Sequence, residues 1–117
     1  MPGLSIHVID VSRGIPATGM RVELRAGDAV RSVIADALVG PGGALPLPEF
    51  ATRPMTAGVY EAIFHVADWY RAQGVALPET AFLGVVPFRF GIADPSQHYH
   101  LPLKVTPWGF SLFRGGA

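Results

Sequence analysis

Residues His98–Thr106 read HYHLPLKVT, and apolar side chains occupy every second position along them. In a β-strand, successive side chains point to opposite faces, so alternate residues share a face. The apolar set is Tyr99, Leu101, Leu103 and Val105. The opposite set is His98, His100, Pro102 and Lys104. The stretch therefore predicts a strand that packs one face on a core and displays two imidazoles and an ammonium on the other.

The rest of the chain consists of similar short apolar runs. They are separated by glycines and prolines, which number 14 and 11 in the whole sequence. Such spacing is typical of a β-sandwich or a β-barrel. The other predicted strands are residues 4–11, 20–25, 30–38, 44–47, 58–66 and 85–94. A single short helix is predicted at residues 68–73, with Asp68 as its N-cap and Gly74 as the residue that ends it.

The other two histidines also lie in predicted strands. In the first strand, Ile6 and Val8 share one face, whereas Ser5, His7 and Ile9 share the other. His7 is therefore expected to point away from the core. His65 shares a face with Glu61 and Ile63, and we interpret it as structural.

Composition limits the classes of function. The 117 residues are predicted to form one domain, residues 1–117, since half are hydrophobic and only 15% are charged. The formal net charge is zero, so no basic surface is expected to bind nucleic acid or a membrane. The absence of cysteine excludes disulfides, thiolate metal ligands and a cysteine nucleophile. So few charges predict that part of the apolar surface is covered by another copy of the chain.

The N-terminal residues MPGLSIHVIDVSRG lack a basic segment followed by a long apolar one, so no signal peptide is predicted. No apolar run approaches the roughly 20 residues that span a bilayer. Together with the lack of cysteine, these features lead us to expect a cytoplasmic protein.

Histidine and lysine supply the candidate chemistry. An imidazole is a natural general base near neutral pH. Lys104 could hold a negative charge or polarise a carbonyl, and Arg114 could dock a planar anion with two hydrogen bonds. Each of these residues could equally be an ordinary surface side chain. The pair His98 and His100 could also bind a metal, but no third ligand is evident, so no metal site is expected.

Two blocks of the sequence resemble a known family. SIHVIDVSRGIPATGM (5–20) and GVYEAIFHVADWYRAQGVALPETAFLGVVPFRFGIADPSQHYHLPLKVTPWGFS (58–111) are similar to the transthyretin-like proteins, the 5-hydroxyisourate hydrolases. The resemblance implies an all-β fold, a two-sheet transthyretin-like sandwich with one short helix. It also implies a homotetramer, a dimer of dimers with active sites in a central channel. The substrate would be a small molecule, and no cofactor would be used.

The resemblance also assigns residues. The family's two histidines match His7 and His100, which would act as general base and orienting group. The family arginine falls at Gly43. The family's terminal Tyr-Arg-Gly-Ser corresponds here to Phe113, Arg114, Gly115 and Gly116, so the arginine is kept while the tyrosine and the serine are replaced. Lys104 stands where the family usually has an aliphatic residue. The predicted substrate-binding residues are Gly43, Lys104, Ser111, Phe113 and Arg114.

The resemblance and these departures from it leave three functions open. The first is hydrolysis of 5-hydroxyisourate, a step in urate breakdown, with positive charge from Lys104 and Arg114. The second is a repurposed enzyme of the same fold that acts on a different small cyclic amide, imide, imine or carbamate. The third is a carrier of a small ligand without catalysis. Retention of both His7 and His100 favours an enzyme over a carrier.

Overall fold

Eight strands form two sheets in the part of the chain that this computed structural model describes, residues 3–116 without the side chains of residues 51 and 52. The strands are β1 (Gly3–Asp10), β2 (Ile15–Pro16), β3 (Arg21–Ala26), β4 (Ser32–Leu38), β5 (Gly58–His65), β6 (Val85–Ile92), β7 (His98–Thr106) and β8 (Gly109–Leu112). The helices are α1 (Glu49–Thr52), α2 (Val66–Ala72) and a 3-10 turn at Asp28–Val30. The first sheet has the strand order β2-β1-β7-β8 and the second β4-β3-β5-β6.

The core lies between the two sheets, as the alternation predicts. On β1 and β7, the buried side chains are Leu4, Ile6, Val8, Tyr99, Leu101, Leu103 and Val105. They pack against buried residues of the second sheet, which include Val22, Leu24, Ala62 and Phe64. The histidine-bearing face of the first sheet is therefore its outer face. Within residues 3–116, no helix is long and apolar enough to cross a membrane.

Strand β7 lies between β1 and β8, and its pairing with β1 is parallel. The register places Ser5 opposite His100, His7 opposite Pro102 and Ile9 opposite Lys104. Directly paired residues project from the same face of a sheet. Two segments that are remote in sequence thus bring their polar residues together on the outer face.

Helix α2 begins earlier than predicted. Strand β5 runs directly into it, with His65 as the last strand residue and the N-cap position, so the prediction of Asp68 as N-cap is wrong. Asp68 lies instead in the first turn, where a carboxylate interacts favourably with the helix dipole. The predicted stop at Gly74 is confirmed. Its φ is +82°, and the N–H of Val75 donates to the carbonyl of Tyr70 at 3.0 Å, which closes the helix.

Three other segments differ from the predicted secondary structure. The stretch 44–47, predicted as a strand, contributes only one bridge, between Ala44 and His7. The short helix α1 follows it and was not predicted. Strand β8 was also missed, because Pro107 and Gly109 suggested that the chain only bends there. In fact, the Thr106 hydroxyl accepts hydrogen bonds of 3.1 Å from the N–H groups of Trp108 and Gly109 and holds a hairpin turn.

A buried carboxylate ties α2 to the end of β1. The Asp10 side chain is fully buried and accepts hydrogen bonds from Ser12, from Arg13 at 2.7 Å and from the Tyr70 hydroxyl at 2.8 Å. Burial alone would raise the pKa of Asp10, but these donors outweigh it and hold that pKa below its ordinary value. Burial, followed by the hydrogen bond to Asp10, raises the pKa of the Tyr70 hydroxyl. The network therefore fixes an ionised Asp10 and a neutral Tyr70 behind the histidine-bearing strands.

Candidate active site

The outer face of β1 and β7 carries both predicted catalytic residues, His7 and His100, and the predicted substrate-binding residue Lys104. His7 comes from β1, and His98, His100 and Lys104 come from β7. The three histidines are half-buried and Lys104 is exposed. The only carboxylate on these two strands, Asp10, has its side chain in the core. The face is therefore neutral to basic, which suits a small acidic or amide-rich ligand.

The ring of His7 is oriented by the backbone of the loop at residues 40–45. Its Nε2 donates a hydrogen bond of 2.8 Å to the carbonyl oxygen of Gly42. A carbonyl can only accept, so the proton of the neutral ring lies on Nε2 and Nδ1 is left as its basic nitrogen. Two backbone bonds of 2.9 Å dock the loop on β1, from Val8 N–H to Gly43 and from Leu45 N–H to Ile6.

Gly43 lies directly against this ring. Its φ is +96°, a conformation that favours glycine, and a Cβ atom added there would lie 2.6 Å from Nε2 of His7. A side chain at position 43, where the resemblance places an arginine, would therefore collide with the imidazole of His7 in this structure. Gly43 contributes to the site by leaving room for His7.

Replacing Gly43 with alanine is expected to displace His7 and to lower both stability and activity. The positive φ and the 2.6 Å contact each oppose a Cβ atom, and we expect a loss of about 1–3 kcal/mol in the free energy of unfolding. Urea unfolding checks the first effect, and steady-state kinetics checks the second. Gly42→Ala is the matched control, because a Cβ atom at Gly42 meets nothing within 4 Å. Equal effects of the two variants would contradict this account of Gly43.

His100 is held by a hydroxyl on the neighbouring strand. Ser5 Oγ lies 2.7 Å from Nδ1 of His100 and 2.8 Å from Nε2 of His98. These distances are typical of strong hydrogen bonds. Because Nδ1 of His100 is engaged by Ser5, Nε2 is the ring nitrogen available to water or substrate.

Lys104 shares the outer face with His100 but lies two residues further along β7. Its direct neighbours across the sheet are Ile9 on β1 and Ser111 on β8. Ser111 and Lys104 are both exposed, and the Phe113 ring just beyond β8 is 45% exposed. The structure thus places a cation and a hydroxyl side by side on the outer face, and an exposed aromatic ring follows the strand that carries the hydroxyl.

Arg114 lies elsewhere. Its guanidinium stacks on the ring of Tyr99, 3.9 Å from the ring centroid, and its Nη2 donates to the side chain of Gln97 at 2.9 Å. Tyr99 is a core-face residue of β7. The structure therefore does not bring the Arg114 guanidinium to the face of His7 and His100, although the sequence predicted a substrate contact.

The backbone of the C-terminal tail nevertheless reaches His100. Gly115 N–H donates to the carbonyl of His100 at 2.7 Å. A Cβ atom at Gly115 would lie 2.9 Å from Cδ2 of the His100 ring, so the close approach requires glycine here. The tail covers one side of the imidazole with backbone rather than with a charged side chain.

Metal chemistry has no assembled ligand set in the described part of the chain. Within residues 3–116, no three His, Asp or Glu side chains lie close enough to hold an ion together. His98 and His100 share the Ser5 hydroxyl instead.

The model of the HIUase/transthyretin family matches residues 4–115. The chain belongs to the HIUase/transthyretin family. It is 42% identical, over 114 residues, to 5-hydroxyisourate hydrolase 2 of Rhizobium meliloti (strain 1021), covering 96% of this chain and 94% of that protein.

Two solved structures confirm the transthyretin-like sandwich. The 5-hydroxyisourate hydrolase of Klebsiella pneumoniae matches with a TM-score of 0.81 and 28% identity, covering 99% of this chain and all of that one. An (S)-allantoin synthase matches with a TM-score of 0.84 and 34% identity over 97% of this chain. This chain spans only 43% of the length of that second structure.

Two parts of this family member's site were missed by sequence reasoning. Alternation places Ser5 on the face of His7, but only the parallel register with β7 shows that its hydroxyl meets His98 and His100. The Gly42 carbonyl carries no side-chain signal at all, and its role depends on how the loop docks on β1.

Proposed function

We propose that this protein is an enzyme that hydrolyses 5-hydroxyisourate by opening a ring amide with water. The observation that carries the proposal is the pair of imidazoles on one outer face, each held through one ring nitrogen. The other nitrogen of each ring is left to contact water or substrate, Nδ1 on His7 and Nε2 on His100. Membership of the HIUase/transthyretin family, with a 5-hydroxyisourate hydrolase as a relative, supports the same reading.

In the proposed mechanism, His100 acts as the general base. Its Nε2 takes one proton from water while the water oxygen bonds to the ring carbonyl carbon. Collapse of the tetrahedral intermediate breaks the carbon–nitrogen bond, and the proton on His100 passes to the leaving nitrogen. His7 orients the reacting group. No external oxidant or cofactor is needed, because water supplies both the hydroxyl group added to the carbon and the proton added to the nitrogen.

We assign the positive charge of the site to Lys104. It replaces the charge that the family arginine would supply, because Gly43 carries no side chain and Arg114 stacks on Tyr99. Lys104 would stabilise the negative charge that develops on the substrate oxygen. Ser111 and Phe113 would complete the binding margin with a hydroxyl and an aromatic surface.

We further propose that the chain, as one transthyretin-like domain, assembles into a homotetramer, a dimer of dimers that encloses the face. Exposed aromatic residues near β8 support this, with Trp108 at 71% and Phe110 at 47% exposure. Light scattering of the purified protein measures the assembly directly. A monomer at micromolar concentration would contradict it.

The test of the function uses freshly prepared 5-hydroxyisourate. Purified protein should accelerate its decay, followed by ultraviolet absorbance, well above the rate in buffer, and the rate should scale with protein concentration. A decay rate equal to that of buffer would exclude this function.

A second candidate is a related enzyme that acts on a different small cyclic amide, imide, imine or carbamate. The close contact of Gly43 with His7 and the presence of Lys104 favour it, since both alter the substrate-facing side of the site. Turnover of such a compound without turnover of 5-hydroxyisourate would select it.

Lys104→Leu tests the charge assigned to this position. We expect kcat/KM to fall about tenfold or more, because a hydrogen bond to a charged group contributes about 1.5–3 kcal/mol. Lys104→Arg is the matched control, since it keeps the charge and should retain most of the activity. If Lys104→Leu turns over substrate as fast as the unaltered protein, Lys104 does not define the site.

A further inference from the structure

Ser5 stands between two imidazoles and has a single hydroxyl proton. Its Oγ lies within 2.8 Å of ring nitrogens of both His98 and His100. A hydroxyl donates one hydrogen bond and can accept two, so it can donate to only one of the two rings. When both rings are neutral and both contacts are hydrogen bonds, the ring that does not receive the serine proton must carry its own proton toward Oγ. The two tautomers are thereby coupled through Ser5.

We propose that Ser5, supported by His98, is a positioning residue that holds neutral His100 with its proton on Nδ1. In this arrangement His100 Nδ1–H donates to Ser5, and the Ser5 hydroxyl donates to Nε2 of His98. His100 Nε2 is then unprotonated and can accept a proton from water. This direction of the hydrogen bonds rests on the proposed function, since activation of water by His100 needs that nitrogen without a proton.

The lack of a carboxylate on the outer face of β1 and β7 explains why a hydroxyl and a second histidine take this role. In many catalytic sites a carboxylate orients the base. Here the only carboxylate of β1 and β7, that of Asp10, is buried on the opposite face. The titratable and charged groups on the outer face of these strands are His7, His98, His100 and Lys104. The Arg114 guanidinium, which stacks on Tyr99 rather than on this face, donates to the main-chain carbonyl of His98 at 3.3 Å.

The register of β1 against β7 fixes which side chains meet the Ser5 hydroxyl. Ser5 is the direct cross-strand partner of His100, so the contact is fixed by the β1–β7 ladder rather than by flexible side chains. His98 is the cross-strand partner of Gly3, which has no side chain to occupy the space between Ser5 and His98. Both rings can therefore approach the one hydroxyl.

The first experiment measures the tautomer of His100 by long-range proton–nitrogen correlation spectra of the full-length 15N-labelled protein. With only four histidines in the chain, single His98 and His100 variants assign the ring signals. We expect Nδ1–H with a proton-free Nε2 in the unaltered protein. We expect Ser5→Ala to shift His100 toward the Nε2–H form. The same tautomer in both proteins would overturn the proposal.

The second experiment compares kinetics on 5-hydroxyisourate. Ser5→Ala should lower kcat about tenfold or more while KM changes less than about twofold, because it removes an orienting contact rather than a substrate contact. Ser5→Thr keeps the hydroxyl and should recover most of kcat. His98→Gln retains an acceptor oxygen for Ser5 and should keep the tautomer, whereas His98→Leu should lose it. Ser32→Ala, an exposed serine on the second sheet, is the control and should match the unaltered protein.

The two experiments separate this proposal from the proposed function. If the unaltered protein does not turn over 5-hydroxyisourate, the function fails, but the spectra still decide whether Ser5 sets the tautomer of His100. If turnover is normal and Ser5→Ala leaves both kcat and the tautomer unchanged, the function stands and the role of Ser5 is excluded.

Discussion

Replacing His100 with asparagine is expected to lower kcat for ring opening of 5-hydroxyisourate by about hundredfold or more, because a positioned general base contributes about 10²–10⁴. The asparagine amide can keep the hydrogen bond to Ser5, but it places no basic nitrogen where Nε2 of His100 lies. The loss should therefore appear in kcat more than in KM. Stopped-flow absorbance on freshly made substrate measures both constants.

The control for this variant is a histidine on the other sheet. His65 Nε2 donates a hydrogen bond of 2.7 Å to the Glu23 carboxylate, remote from the outer face of β1 and β7. This hydrogen bond is the main reason that the pKa of Glu23 lies below its ordinary value. His65→Gln can keep a donor for Glu23 and should leave kcat unchanged. Added imidazole should restore part of the rate to His100→Asn by replacing the missing base. A His100→Asn enzyme with kcat within about threefold of the unaltered protein would rule out His100 as the general base.

Replacing Asp10 with asparagine is expected to cause the largest loss of stability, about 3 kcal/mol or more in the free energy of unfolding. The buried carboxylate accepts from Ser12, Arg13 and Tyr70, and an amide cannot accept from all of them. An amide N–H₂ turned toward Arg13 would also leave two donors facing each other. Urea unfolding at neutral pH and fixed protein concentration measures the change.

The pH dependence gives an independent check. Because folding lowers the pKa of Asp10, its stabilisation is complete above the ordinary aspartate pKa of 3.8 and is lost as the pH falls through the lower pKa of the folded protein. Asp10→Asn should lack this part of the acid destabilisation. For Tyr70 the sign is opposite, since its pKa is raised, so its contribution is lost as the pH rises above about 10.

Asp94 provides the matched control for Asp10. It is an exposed aspartate whose pKa is lowered by hydrogen bonds from Ser96. Asp94→Asn should cost far less stability than Asp10→Asn, because water can replace the lost bonds. Equal losses would mean that burial of Asp10 is not the source of its effect.

The candidate site could be predicted only in part. The alternation in β1 and β7 places His7, His100 and Lys104 on one outer face, and the structure confirms that placement. The tail was harder, because the side chain of Arg114 depends on how the residues after β8 continue along β7. The backbone bond from Gly115 to His100 fixes that path and leaves Arg114 on Tyr99.

The sequence alone determined which residues face the core and which face outward, because strand alternation is a local property with a period of two residues. It also identified the family, whose model matches residues 4–115. Only the tertiary structure decided the partners across the sheet: Ser5 with His98 and His100, the Gly42 carbonyl with His7, and Tyr70 with Asp10. These contacts join segments from 35 to 95 residues apart, and their existence depends on strand register and loop docking, which no local pattern encodes.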